Sequence, residues 1–196
     1  MQLAYKKQEE FSAFSASREH LDSIIKNLLS TELASQEHSE VESFIQEEGT
    51  ELLRKLLQGY LDVRAETETQ RDDVVSPDGG RLNHVRTNTH RNMVSLFGGV
   101  QVSRLGYSQR HQSSVFPLDH ALNLPKDQYS FGLRKRLMAD AIKSSFDESV
   151  QSVRTTTGGH IPKRQALMLV EDMAQDFCSF YEQNRFVTPE DTSDLL

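Results

Sequence analysis

Only one cysteine, Cys178, occurs in the 196 residues. A lone thiol excludes an internal disulfide and any zinc site built from several cysteines. No apolar run approaches the roughly 18 residues that a membrane-spanning helix needs. The opening MQLAYKKQEEFSAF lacks a long apolar centre, so it does not read as a secretory signal. A reducing cytoplasm is the expected compartment. Phosphate-binding glycine loops are missing too: FGGV (97–100) reads as a hairpin turn, and TGGH (157–160) lacks the lysine that should follow. No serine or cysteine has a credible histidine partner. Asp140, Asp147 and Glu148 are near one another in sequence, but Asp147 and Glu148 fall where a helix should start, a place that favours acids for the helix dipole. A two-metal carboxylate set is not expected from them. Neither a catalytic residue nor a cofactor is expected in this chain.

What is present is a strongly segregated charge. The net charge is −7, which alone argues against a polyanionic partner. Residues 1–75 carry 8 Lys/Arg against 16 Asp/Glu, residues 76–168 carry 13 against 6, and residues 169–196 carry 1 against 7. Five histidines (His84, His90, His111, His120, His160) also lie in the middle part. A basic block between acidic ends is the electrostatic footprint of a surface for nucleic acid. Alternatively, the ends fold back and neutralise the block.

The block culminates in FDESVQSVRTTTGGHIPKRQALMLVEDM (146–173). Phe146, Val150 and Val153 recur at helical spacing. Three threonines and Gly158-Gly159 then break the pattern, and the paired glycines reverse the chain. Pro162 suits the first turn of a second helix. Lys163, Arg164 and Gln165 give that helix a basic and polar start. With FGLRKRLMADAIK (131–143) as a preceding helix, inward at Leu133, Leu137 and Ala141, the layout is a helix-turn-helix. Arginine and lysine donate to guanine, glutamine pairs with adenine, and a helix start favours a phosphate. Lys163, Arg164 and Gln165 are the expected base readers. His160, Thr157 and the cluster Arg134, Lys135, Arg136 are the expected phosphate contacts, with Arg91 and Arg104 beside them. The bland reading is a helical hairpin with a solvated basic end. The last helix keeps an apolar stripe at Ala166, Val170, Met173, Phe177 and Phe180, with Cys178 beside it as a packed thiol.

Upstream, residues about 15–32 predict a helix with Leu21, Ile24, Ile25, Leu28 and Leu29 on one stripe. Ser39 and Glu42 have capping-box spacing for a second helix of about 30 residues, interrupted mildly at Gly49. Its polar face is rich in glutamate. Such a hairpin of helices suits a partner helix or a second copy, or simply packs on its own domain. Residues 64–73 read as a fraying helix end and a linker. Between the helical parts, Ser76–Gly80 is a strong turn signal and 81–88 reads as a returning strand. RNMVSLFGGVQVSRLGY reads as a hairpin turning at Gly98-Gly99, with Val94 and Leu96 on one arm and Val100 and Val102 on the other. Arg81, Arg86, Arg91, Arg104 and Arg110 dot this region. Residues 111–130 form a connector punctuated by Pro117 and Pro125, pinned by Phe116, Leu118, Leu122 and Leu124.

Several stretches carry a family resemblance: LFGGVQVSRLGY, PLDHALNLPKDQYSFGLRKR, SFDESVQSVRTTTGGHIPKRQA with the following DFCSFY, and the closing PEDTSDLL. Together they span roughly residues 74–196. The chain resembles the N-terminal DNA-recognition region of bacterial insertion-sequence transposases of the DDE type, the Kra-type group, itself distantly similar to Mutator-like elements. The resemblance implies a non-catalytic region that precedes an RNase H-like domain, where three carboxylates hold two divalent metals. It also implies that PEDTSDLL runs into the first strand of that domain. The carboxylate-bearing strands are absent here, so no catalytic residue is carried over. Lys163, Arg164 and Gln165 match the family's block by position.

The expectation is a mostly helical α+β chain. Residues 1–73 form an acidic helical hairpin for oligomerisation or a partner, and 74–110 a small basic antiparallel β-meander. A connector (111–130), a helix-turn-helix region with a long last helix (131–185) and a linker (186–196) follow. Double-stranded DNA is the expected partner, with a second copy or a catalytic transposase chain held through residues 15–62, no membrane, and a cytoplasmic, nucleoid-associated location. The rivals are a stand-alone regulator or adopted subunit derived from a truncated transposase, and a protein-interaction scaffold.

Overall fold

The computed structural model describes residues 12–183, with side chains to residue 175. The side chains of Phe177, Cys178 and Phe180, expected on or beside the last helix's stripe, and the expected linker (186–196) are outside what is described. The fold is mostly helical α+β, with a single two-stranded antiparallel sheet among the described residues.

The chain enters through α1 (Ser15–Leu28), a single turn α2 (Thr31–Ala34) and the long α3 (His38–Glu66). The first helix stops at Leu28 rather than 32 because Ser30 leaves the helix as a cap, accepting the Leu33 N–H at 3.3 Å. The cap of α3 also lies earlier than Ser39 and Glu42 suggest. Glu40 reaches back to the Glu37 N–H at 3.1 Å, and Ser39 is already helical. The helix passes through Gly49 unbroken. The two long helices form the expected hairpin, fastened where His20 meets the Glu48 carbonyl at 3.1 Å and its carboxylate at 3.2 Å.

The meander is instead one long hairpin, β1 (His84–Ser95) and β2 (Gly98–Ser108). Residues 84–88 of the expected returning strand and the hairpin's first arm belong to one strand, interrupted by a register shift between Arg86 and Thr89, where Asn88 has φ 58°, while Arg81 makes only an isolated bridge to Val75. The turn residues are Leu96 and Phe97, not Gly98 and Gly99, since Ser95 pairs with Gly98. Gly98 is needed for another reason, its φ of 118°, which side chains disfavour.

Because side chains alternate across a strand, the hairpin tip serves two cores. Met93, Val100 and Val102 pack with Leu61 of α3 and Leu118 of the short α4 (Pro117–Ala121). Val94 and Leu96 face the other way. They pack on a cluster of Tyr129, Leu133, Leu137, Val153, Ile161, Ala166 and Leu169. That cluster joins α5 (Phe131–Ala141), α6 (Phe146–Thr156) and α7 (Lys163–Gln183). The first of these ends at Ala141, two residues before the expected Lys143. The second starts with a capping box, Ser145 with Glu148. It runs through Thr155 and Thr156, contrary to the break expected there. Their hydroxyls donate to the carbonyls of Gln151 at 3.0 Å and Ser152 at 2.7 Å, which gives the threonines a local partner within the helix.

Gly158 and Gly159 are set by closeness more than by chain reversal. The Gly158 N–H donates to the Leu96 carbonyl at 2.8 Å, and a methyl group there would strike the Phe97 carbonyl. A Cβ at Gly159 would lie 2.7 Å from the Ser95 carbonyl. The loop thus docks backbone to backbone on the hairpin tip and carries the chain to the start of α7.

Candidate nucleic-acid interface

The start of α7 is built without any acidic residue in its first turn. The Pro162 carbonyl accepts the N–H groups of Gln165 and Ala166, both at 2.9 Å, and Ile161 beside it is fully buried. That anchor fixes the direction of the first turn. Ala166 and Leu169 face the core, so Arg164 and Met168, spaced four apart, lie on the opposite, outermost ridge. Leu169 was not on the expected stripe; it replaces the spacing read from Ala166 to Val170 as the deepest contact after Ala166.

Lys163, Arg164 and Gln165 are all exposed, and each has a different setting. Arg164 makes no hydrogen bond or ion pair among the described residues. Lys163 meets Asp147 of α6 at 2.6 Å, with both side chains more than 60% exposed. An exposed pair of this kind holds its partners weakly and exchanges readily. Gln165 accepts a hydrogen bond through Oε1 from the hydroxyl of Tyr129, whose ring is buried. This contact orients the carboxamide and leaves its amine as a donor. His160 is exposed on the approach to the helix.

The other sequence candidates sit differently. Thr157 closes the end of α6: its hydroxyl donates to the Val153 carbonyl at 2.7 Å and accepts the Gly159 N–H at 3.1 Å. It is a cap rather than a phosphate contact. Arg134 is a correction of the same kind. Its side chain is 7% exposed, paired with Asp127 and with Asp172 at 3.3 Å, and it donates to the Tyr129 carbonyl at 3.2 Å. The neighbouring Lys135 and Arg136 are exposed, the latter paired with Asp140 at 3.3 Å. They edge a cleft of about 480 Å³ between α3, the hairpin turn and α5, walled by Leu53, Leu96 and Phe97. Arg91 and Arg104 turn inward. Both reach Asp119 of α4, Arg91 at 3.1 Å, and Arg104 also lies 4.0 Å above the Phe116 ring. Arg91 further donates to the carbonyls of Pro125 and Asp127. These arginines staple the connector to the hairpin and are not available to a phosphate in this arrangement.

Five of the block's 13 cations are paired with carboxylates, mostly from within the block. Asp119, Asp127, Asp140 and Asp147 engage Arg91, Arg104, Arg134, Arg136 and Lys163. Among the described residues, Asp172, on Arg134, is the one such partner from the acidic tail. Neither reading of the charge pattern anticipated this. The signal was the scatter of aspartates among the arginines, which a count over 93 residues averages away. Sequence reasoning also missed Leu167 and Met168, apolar residues exposed beside Arg164. Asp140, Asp147 and Glu148 do not converge: they engage Arg136, Lys163 and the Ser145 N–H respectively. Among the described residues no group of three or more His, Cys, Asp or Glu is placed to hold a metal ion. No described helix is long and apolar enough to cross a membrane.

Compared with family models, curated proteins and solved structures, the chain finds no match.

Proposed function

We propose that this chain is a DNA-recognition module of the insertion-sequence transposase kind, without chemistry of its own. It binds the ends of its element with the start of α7 in the major groove. The observation that carries this reading is Arg164, exposed and without a partner among the described residues, on the outermost ridge of a helix anchored by two others. A helix offers its first turn to base edges, and a guanidinium pairs with the two acceptors of guanine. Gln165, already oriented by Tyr129, is the adenine reader, and Lys163 exchanges Asp147 for a phosphate or a guanine. His160, Lys135 and Arg136 supply further contacts to the backbone. No cofactor belongs to this chain in this reading; divalent metal belongs to the catalytic domain of such enzymes. The setting is cytoplasmic, on the nucleoid.

The test is selection of bound duplexes from a random pool by the full chain, followed by titration of the enriched sequence. A shared enriched sequence that Arg164→Ala binds about 10- to 100-fold more weakly supports the reading. Enrichment of no sequence rejects it.

A second reading, a protein-interaction scaffold or an adopted subunit, is favoured by α1 and α3. They leave Leu21, Ile25, Leu28, Ile45, Leu56 and Tyr60 exposed, an apolar surface of the sort that marks a protein contact. In the DNA reading this surface pairs two copies or docks a catalytic chain. Light scattering on an Ile25→Ser, Leu56→Ser variant separates the cases. Loss of dimer mass together with loss of DNA affinity ties the surface to DNA binding. Loss of dimer mass alone favours the scaffold.

A further inference from the structure

Beside the outer ridge of α7 lies a cleft of about 360 Å³, bounded by Asp127, Gln128, Tyr129, Gln165, Met168 and Leu169. Its floor is apolar: Leu169 and Tyr129 are buried, 5% and 4% exposed. Met168 forms the outer lip and is 59% exposed, with Leu167 next to it at 41%. Leu167 and Met168 together give the cleft an exposed apolar rim one turn beyond Arg164, which has no partner among the described residues.

We propose that this cleft reads a thymine by its C5-methyl group. The inference rests on the DNA-binding reading given above and adds to it the base class that follows the guanine read by Arg164. In the major groove thymine alone presents a methyl group, and apolar side chains are what recognise it. Arg164 and Met168 share one ridge, so a duplex that meets the guanidinium also meets the thioether one turn on. The thioether is flexible and polarizable, and it closes over a methyl without fixed geometry. Charge permits the approach. The first turn of α7 has no acid, Arg164 has no anion partner among the described residues, and buried Arg134, shared between Asp127 and Asp172, offsets one of those two carboxylates. Glu171 and Asp172, one turn further along, limit the polyanion to the N-terminal part of the helix. Gln165 lines the same cleft with its oxygen held by the Tyr129 hydroxyl, which leaves its amide N–H groups as donors.

The experiment replaces each thymine of the selected duplex, one at a time, by deoxyuridine, which differs only in lacking the methyl. The full chain and a Met168→Ala variant are titrated against every duplex. The expected result is one position where deoxyuridine weakens the full chain about fourfold, the ratio that corresponds to one buried methyl group. The Met168→Ala variant should bind the two duplexes equally at that position. If every replacement leaves the affinity unchanged, or the loss persists in Met168→Ala, the methyl assignment is overturned while DNA binding stands. If no duplex is enriched in the selection, the DNA reading and this inference fall together.

Discussion

Asp119 holds two arginines that are 14% and 10% exposed, so it is the residue on which the interior electrostatics turn. Removing one partner of a buried ion pair leaves an uncompensated charge, at about 3–5 kcal/mol. Asp119→Ala should therefore lower the urea midpoint strongly, while Arg164→Ala should leave it unchanged to about 0.5 kcal/mol and reduce only DNA binding. The two variants read opposite sides of the same residue class, since both concern arginines in the basic block. Glu51 provides a milder case. The Arg54 guanidinium, 2.5 Å away, holds its carboxyl below the ordinary range, against the opposing effect of partial burial. A carboxyl lowered in the folded chain adds stability above its unfolded value and loses it as pH falls through the folded one. The pair is well solvated, so its contribution should stay below about 1 kcal/mol. Stability measured against pH should show Glu51→Gln differing from the parent near neutrality and converging with it in acid, below the usual carboxylate range. At this scale the sequence made the charges legible but not their partners. Nothing in the spacing of Arg91, Arg104 and Asp119 announces that a strand pair and a one-turn helix bring them together.

Among the elements, helices were legible because their apolar spacing survives any tertiary arrangement. Leu133, Leu137, Val150, Val153 and Ala166 face inward as their period implies. Ends were less so. Caps depend on which hydroxyl or carboxylate reaches the backbone, as at Ser30 and Glu40, and the three threonines after Val153 satisfied themselves within the helix. The hairpin was legible as a hairpin, yet Val94 and Val102 proved to serve different cores. Alternation reports which residues share a face, not how many layers the strand separates. The glycine pair was read as a reversal, and its need turned out to be contact with the hairpin turn. Gly158→Ala should accordingly destabilise the fold by about 1–3 kcal/mol through overpacking against Phe97 and Thr50. Thermal or urea unfolding checks this. DNA affinity measured well below the transition should fall as well, because that loop leads directly into α7.

For the molecule as a whole, the lesson concerns charge. A block with 13 cations and 6 anions reads as a broad surface for a polyanion until the pairs are drawn, after which five of those cations, Arg91, Arg104, Arg134, Arg136 and Lys163, prove to be held by aspartates. Counterion release scales with the phosphates neutralised. With roughly two to four contacts per chain, raising salt from about 50 to 200 mM should weaken binding about 10- to 100-fold. Fluorescence anisotropy on the selected duplex measures that slope. A loss of about 10⁵ would mean that many more cations engage, and that the internal pairs of Arg91, Arg104 and Arg134 open on binding.

The side of each strand that faces away from its neighbour has a consequence for coexistence at high concentration. Gln58 of α3 uses its amide as a surrogate peptide group, accepting from the Gln101 N–H at 2.8 Å and donating to the Gln101 carbonyl at 2.9 Å. Glu68 takes the Leu105 N–H at 2.7 Å, Val115 pairs with Tyr107, and on the opposite margin the connector bonds to both backbone groups of Val94. A hairpin with exposed margins would recruit strands from other molecules and polymerise. Here those margins are blocked at intervals, so a Gln58→Ala chain should be the first to form thioflavin-positive aggregates on storage, before any loss of helicity.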